Sequence, residues 1–181
     1  AKRRMDRAVN VADLRRCAEQ RLHPMCFGYL DSGSDDEVTM RRNKDAYTEY
    51  EMYFDVLSGI QPPLDMSTKI FGEHVKLPFF ACPTAGNRMF HNEGESAVAA
   101  ASAHHGTLYG LSSLATTSIG DVAKELPDNH PKVFQLYVWK DRELLRDILA
   151  QAKEGNFQAL ALTVDFTWCE GIRERAILLF V

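Results

Sequence analysis

The chain has 181 residues, 45% of them hydrophobic and 25% charged, with a net charge of −4 at neutral pH. That balance suits one sizeable globular core and gives no ground for nucleic acid or an anionic membrane surface as a partner. No apolar run approaches the roughly 20 residues that span a bilayer, and no basic start leads into an apolar signal segment.

The first 55 or so residues read as helical and charged. AKRRMDRAVNVADLRRCAEQR is locally basic, but Asp6, Asp13 and Glu19 are interspersed, so a solvated helix face is expected rather than a targeting peptide. Val11, Leu14, Cys17 and Ala18 form an apolar stripe at helical spacing. Pro24 is expected to break the chain, Ser32-Gly33-Ser34 to turn it, and residues 37–54 to form another helix. Gln61-Pro62-Pro63 is a rigid connector, and residues 66–71 and 73–75 flank Gly72 as a small hairpin.

After Leu77 the pattern changes. Four short apolar runs, at residues 79–82, 108–111, 133–138 and 159–164, alternate with helical stretches at 93–105, 119–126 and 142–154. Asp141 stands where an N-cap belongs, and Leu144, Leu145, Ile148, Leu149 and Ala152 share one side of the last helix. Strand and helix in alternation, with short connections, predict parallel pairing in an α/β fold.

The polar residues inside these runs carry the functional signal. Side chains alternate across a strand, so Gln135 and Tyr137 share a face opposite Phe134, Leu136 and Val138. Ala159, Ala161, Thr163 and Asp165 likewise oppose Leu160, Leu162 and Val164, and Leu108, Gly110 and Ser112 share a face. Each run therefore has a bulky side suited to helices and a side that is small early and polar at its C-terminal end. A barrel interior with a site at its upper rim has this pattern. The alternative is that Gln135, Tyr137 and Thr163 are core polar residues satisfied by hydrogen bonds; three strands ending alike favour a site.

The chain resembles the FMN-dependent 2-hydroxy acid dehydrogenases and oxidases, the group of glycolate oxidase, lactate oxidase and mandelate dehydrogenase. The resemblance runs from about Val11 to Arg175. It rests on YLDSGSDDE (29–37), CPTAGNRMFHNEGE (82–95), LSSLATTSI (111–119), FQLYVWKDR (134–142), and ALTVDF followed by GIRER. It implies the first half of a (β/α)8 TIM barrel, about four β/α units, preceded by an N-terminal helical segment (1–60) and the hairpin. In that family FMN sits at the upper mouth of the barrel. Pro83, Thr84 and Ala85 would lie against the flavin ring, and Ser112, Gln135 and Thr163 would bond its polar edge. Tyr29 would bind the substrate carboxylate, Tyr137 the substrate hydroxyl, and Asp165 would orient a histidine base. Arg173 would meet the carboxylate, a bidentate partner for a permanent anion. The implied reaction is oxidation of a small L-2-hydroxy acid to a 2-oxo acid by hydride transfer to flavin.

The sequence departs from the family's pattern in places. Tyr53-Phe54-Asp55-Val56 replaces a basic stretch, Trp168 is bulky where small residues are common, and the chain ends on AILLFV. The family's histidine base, second substrate arginine, flavin lysine and phosphate-binding loops belong to a second half. The 181-residue chain is therefore expected to be inactive alone. As a non-catalytic half-barrel it would self-associate or pair with a separate C-terminal half, because open strand edges invite pairing. An FMN-binding isomerase or synthase on a related barrel is disfavoured, by resemblance, through the Tyr29 and Tyr137 motifs.

Other features carry bland readings. His104 and His105 are adjacent on a helix and diverge by about 100°, a poor arrangement for one metal ion. His91 is a loop histidine, and Asp35-Asp36-Glu37 suits a helix N-terminus better than calcium. No nucleotide-cradling G-x-G-x-x-G or P-loop is present. Cys17, Cys26, Cys82 and Cys169 lack metal-ligand spacing and are read as reduced thiols of a cytoplasmic protein.

Overall fold

The structure, a computed structural model, describes residues 6–164. The chain divides into two units, Ala1–Asp65 with Met89–Asn92 and Met66–Arg88 with the rest.

The first unit is helical. Helix α1 (Val11–Glu19) opens at Asn10, whose side chain accepts from the Asp13 N–H at 2.9 Å. Helix α2 (Pro24–Asp31) follows, and Arg15 reaches from α1 to Asp31 with two 2.5 Å bonds. Pro24 therefore starts a helix instead of breaking one: at the first helical position its missing N–H and fixed φ carry no penalty. Helix α3 spans only Val38–Asp45, then a 3-10 turn, Ala46–Glu49, ends at extended Tyr50. The predicted helix to residue 54 is thus too long by a turn. The apolar stripe of α1 is only partly covered, with Val11 80% and Leu14 45% exposed.

The second unit holds the sheet. Strands β1 (Thr68–Ile70) and β2 (Glu73–Val75) form the hairpin, and the two-residue turn Phe71-Gly72 has positive φ at both positions, as a type I′ turn requires. Helix α4 (Gly94–His105), β3 (Tyr109–Leu111), α5 (Ile119–Glu125), β4 (Lys132–Leu136), α6 (Arg142–Glu154) and β5 (Ala159–Leu162) follow. Strands β3, β4 and β5 are parallel neighbours in that order. The run at 79–82 contributes one parallel bridge, Ala81 to Tyr109, rather than a full strand. Pro78 and Pro83 bracket that run and cannot donate to a ladder.

Two apolar layers lie on the two faces. Tyr109, Leu111, Phe134 and Leu136 pack outward on Ala99, Val122, Leu126 and Ala152 of the helices. On the inner face Leu108 and Val133 pack with Val75 of the hairpin, joined by Ala159 and Ala161. The hairpin therefore plugs the N-terminal end of the inner face, and the polar residues are left at the C-terminal end. Burying Val75, Leu108 and Val133 stabilises this end by about 1.5–3 kcal/mol for each side chain. Among the described residues no helix is long and apolar enough to cross a membrane.

Candidate active site

The register brings the polar ends together. Leu111 pairs with Phe134, which sets Ser112 beside Gln135, and Gln135 pairs with Ala161, two residues before Thr163. The Thr163 N–H continues the ladder to the Leu136 carbonyl at 3.1 Å. All three inner-face side chains join: the Ser112 hydroxyl donates to Gln135 Oε1 at 3.2 Å, and Gln135 Nε2 donates to Thr163 Oγ1 at 2.7 Å.

Ser113 fixes the orientation of that amide. Its backbone N–H donates to Gln135 Oε1 at 3.0 Å, so the oxygen must face β3 and the NH2 must face Thr163. The Ser113 hydroxyl donates to the Gln135 carbonyl at 2.6 Å and accepts from the Tyr137 N–H at 3.2 Å. One N–H of Gln135 and the proton of the Thr163 hydroxyl have no acceptor among the described residues. The rim thus presents two adjacent donors on an otherwise small inner face, which suits the carbonyl-bearing edge of an isoalloxazine ring.

Pro83, Thr84 and Ala85 lie in the loop after the first run. Gly110 explains how close that loop comes to the sheet. A Cβ there would stand 2.6 Å from Pro83 Cδ and 2.9 Å from Pro83 N, so only glycine fits. The loop is also tied to the one after β3, with the Gly86 N–H on the Leu114 carbonyl at 3.1 Å and the Arg88 N–H on Thr116 Oγ1 at 3.1 Å.

Tyr137 follows β4, half-buried, with its ring 6.4 Å from that of Trp139. Tyr29 belongs to the first unit, on α2, 59% exposed and stacked on Phe90 at 6.4 Å. Asp165 and Arg173 lie outside the described residues. His104 and His105 meet edge to face, and no cluster of metal-ligating side chains exists among the described residues. Cys17, Cys26 and Cys82 are free thiols.

The sequence reading missed Glu95. This carboxylate is 0% exposed, sits in the first turn of α4 and accepts from Asn87, Thr116 and Thr117. Its donors lie as far as 22 residues away, so no local motif announces it.

Known proteins are similar to this chain in sequence and fold. The family model for FMN-dependent dehydrogenase matches residues 18–179. Glycolate oxidase 1 of Zea mays is 37% identical over 161 residues, 89% of this chain and 43% of that protein. The flavin-binding domain of baker's yeast flavocytochrome b2 superposes with a TM-score of 0.83 at 31% identity, covering 89% of this chain and 42% of that one. Lactate oxidase of Pediococcus acidilactici gives 0.82 at 34% identity, over 87% and 44%. The chain spans less than half the length of these relatives, and the partial α/β barrel they share with it is the one described above. With a model match over most of its residues and these relatives, the chain belongs to the FMN-dependent dehydrogenase family, whose cofactor is FMN.

Proposed function

We propose that the chain forms the flavin-facing half of an enzyme that oxidises a small L-2-hydroxy acid to a 2-oxo acid. The observation that carries this reading is the convergence of Ser112, Gln135 and Thr163 on one rim. The free N–H of Gln135 and the hydroxyl of Thr163 donate to the polar edge of the ring, and Ser112 holds the Gln135 amide. Pro83, Thr84 and Ala85 supply the surface against the ring, at a depth set by Gly110. The chemistry that bound FMN supplies is acceptance of a hydride equivalent.

The substrate is a carboxylate with an adjacent hydroxyl. Tyr29 and Arg173 bind the carboxylate, the arginine through a charge-assisted fork. Tyr137 donates to the substrate hydroxyl oxygen as negative charge develops there, which lowers the barrier to hydride loss from the adjacent carbon. Asp165 holds a histidine base in the tautomer that accepts the hydroxyl proton. That base is supplied by a second half, so the 181-residue chain alone turns over no substrate.

The test is a comparison of the chain with and without its C-terminal half. The joined protein bleaches FMN when given glycolate, lactate or mandelate without oxygen, and the 181-residue chain does not. Bleaching by the short chain at an ordinary enzymatic rate, above about 1 per second, would refute this division of labour.

A second reading, a scaffold that pairs through its open edge, is favoured by β5. Its outer residues Leu160 and Leu162 are 53% and 54% exposed, and Val164 just beyond it is 81% exposed. Among the described residues β5 has a strand neighbour on one side only. Self-association that rises with concentration in size-exclusion chromatography supports it; a monomer throughout counts against it.

A further inference from the structure

We infer that Glu95 is a positioning residue for the rim: its carboxylate buckles the loop bearing Pro83, Thr84 and Ala85 to the loop that follows β3. The inference rests on reading that rim as the flavin site.

Five donors converge on this one group. Asn87 gives its backbone N–H and its Nδ2, each at 3.2 Å from Oε1. Thr116 gives its N–H at 2.8 Å to Oε1 and its hydroxyl at 2.8 Å to Oε2. Thr117 gives its hydroxyl at 2.7 Å to Oε2. Among the described residues no basic side chain forms an ion pair with it. An ionised carboxylate, with acceptor sites on both oxygens, accepts from all five at once.

The two loops are the ones that present the flavin contacts. Asn87 passes the hold onward, because its Nδ2 also donates to the Thr84 carbonyl at 3.0 Å and the Thr84 hydroxyl donates to Asn87 Oδ1 at 3.2 Å. On the other side Thr116 and Thr117 directly follow the turn that begins at Ser112, whose carbonyl accepts from the Ala115 N–H at 3.1 Å. Glu95 itself is anchored in the first turn of α4, where the helix dipole favours a negative charge. One buried charge thus sets the spacing between the surface under the ring and the residues at its edge, and its own hydrogen bonds go to Asn87, Thr116 and Thr117.

The test uses Glu95→Gln, which keeps the volume but turns an NH2 toward the donors, with Thr117→Val and Thr117→Ser as milder variants. Two readouts are taken on the 181-residue chain: amide exchange without FMN, and chemical-shift changes of Thr84 and Ala85 during an FMN titration. Glu95→Gln should speed exchange in residues 84–88 and 113–117 at least about tenfold, which is about 1.4 kcal/mol of local opening, while α6 keeps its protection. The FMN-induced shifts of Thr84 and Ala85 should shrink with it. Thr117→Val should do the same to a smaller degree, and Thr117→Ser should restore both readouts. Unchanged loop exchange in Glu95→Gln overturns the inference, as does exchange that rises equally in α6, which marks a general loss of stability. If Glu95→Gln fails to fold, the Thr117 pair decides by the same criteria. A wild-type chain that shows no FMN-induced shifts overturns the flavin reading, while the exchange data still decide whether Glu95 buckles the loops.

Discussion

Gln135 can satisfy its neighbours in one orientation only. Its oxygen takes two donors from the turn after β3, and its nitrogen gives one proton to Thr163. Replacing it by leucine strands the Ser113 N–H and the Ser112 hydroxyl, each at a cost of about 1–3 kcal/mol where burial excludes water. Gln135→Leu is therefore expected to lower the melting temperature and to weaken FMN binding at least tenfold, measured by thermal unfolding and by titration. Glu95 adds a pH dependence. Burial pushes its carboxyl up, but the Thr116 N–H and the Thr117 and Thr116 hydroxyls more than reverse this, leaving it at about 2 against an ordinary 4.5. A depressed carboxyl contributes stability that is fully present above the ordinary value and is lost as pH falls toward 2. The gap corresponds to on the order of 3 kcal/mol. The difference in melting temperature between wild type and Glu95→Gln should therefore narrow as pH drops from about 6 to about 3; a constant difference would contradict the assignment. His130, 6% exposed at the foot of β4, runs the same way: burial and then the Lys132 charge lower its imidazole, so its contribution fades as pH falls below the ordinary 6.5.

At the scale of elements, local chemistry and sheet pairing were legible to different degrees. Helix α6 could be read to the residue, because Asp141 caps the Glu143 and Leu144 N–H groups and the apolar residues keep helical spacing. Helix α3 was overextended, because residues 50–54 have helical composition but the chain is already extended at Tyr50. The alternation of small and bulky residues on β4 and β5 placed Gln135 and Thr163 on one face, and the register then brought them into contact. What alternation could not show is why position 110 is glycine. The reason lies across the sheet, in Pro83, and is invisible along the chain. Gly110→Ala forces Pro83 away by several tenths of an ångström and is expected to lower stability by about 1–3 kcal/mol, with the loss read by thermal unfolding. A variant as stable as wild type would show that the loop has room to move.

For the whole molecule, the layers explain where function can sit. The hairpin fills the N-terminal end of the inner face with Val75, so among the described residues the inner face is left open at its C-terminal rim. The rim was legible in the sequence because its residues recur at strand ends. The residues assigned to Asp165 and Arg173 lie beyond the described part of the chain, and the relatives extend to more than twice the matched length. The outer face of β5 is exposed at Leu160 and Leu162, whereas a parallel strand is normally covered on both faces. The most direct measurement is an NMR titration of the chain with FMN, following the side-chain amide of Gln135. The account predicts that this amide and the Thr163 resonances shift together and saturate with the amides of Thr84 and Ala85. Shifts that appear elsewhere while Gln135 stays fixed would contradict it.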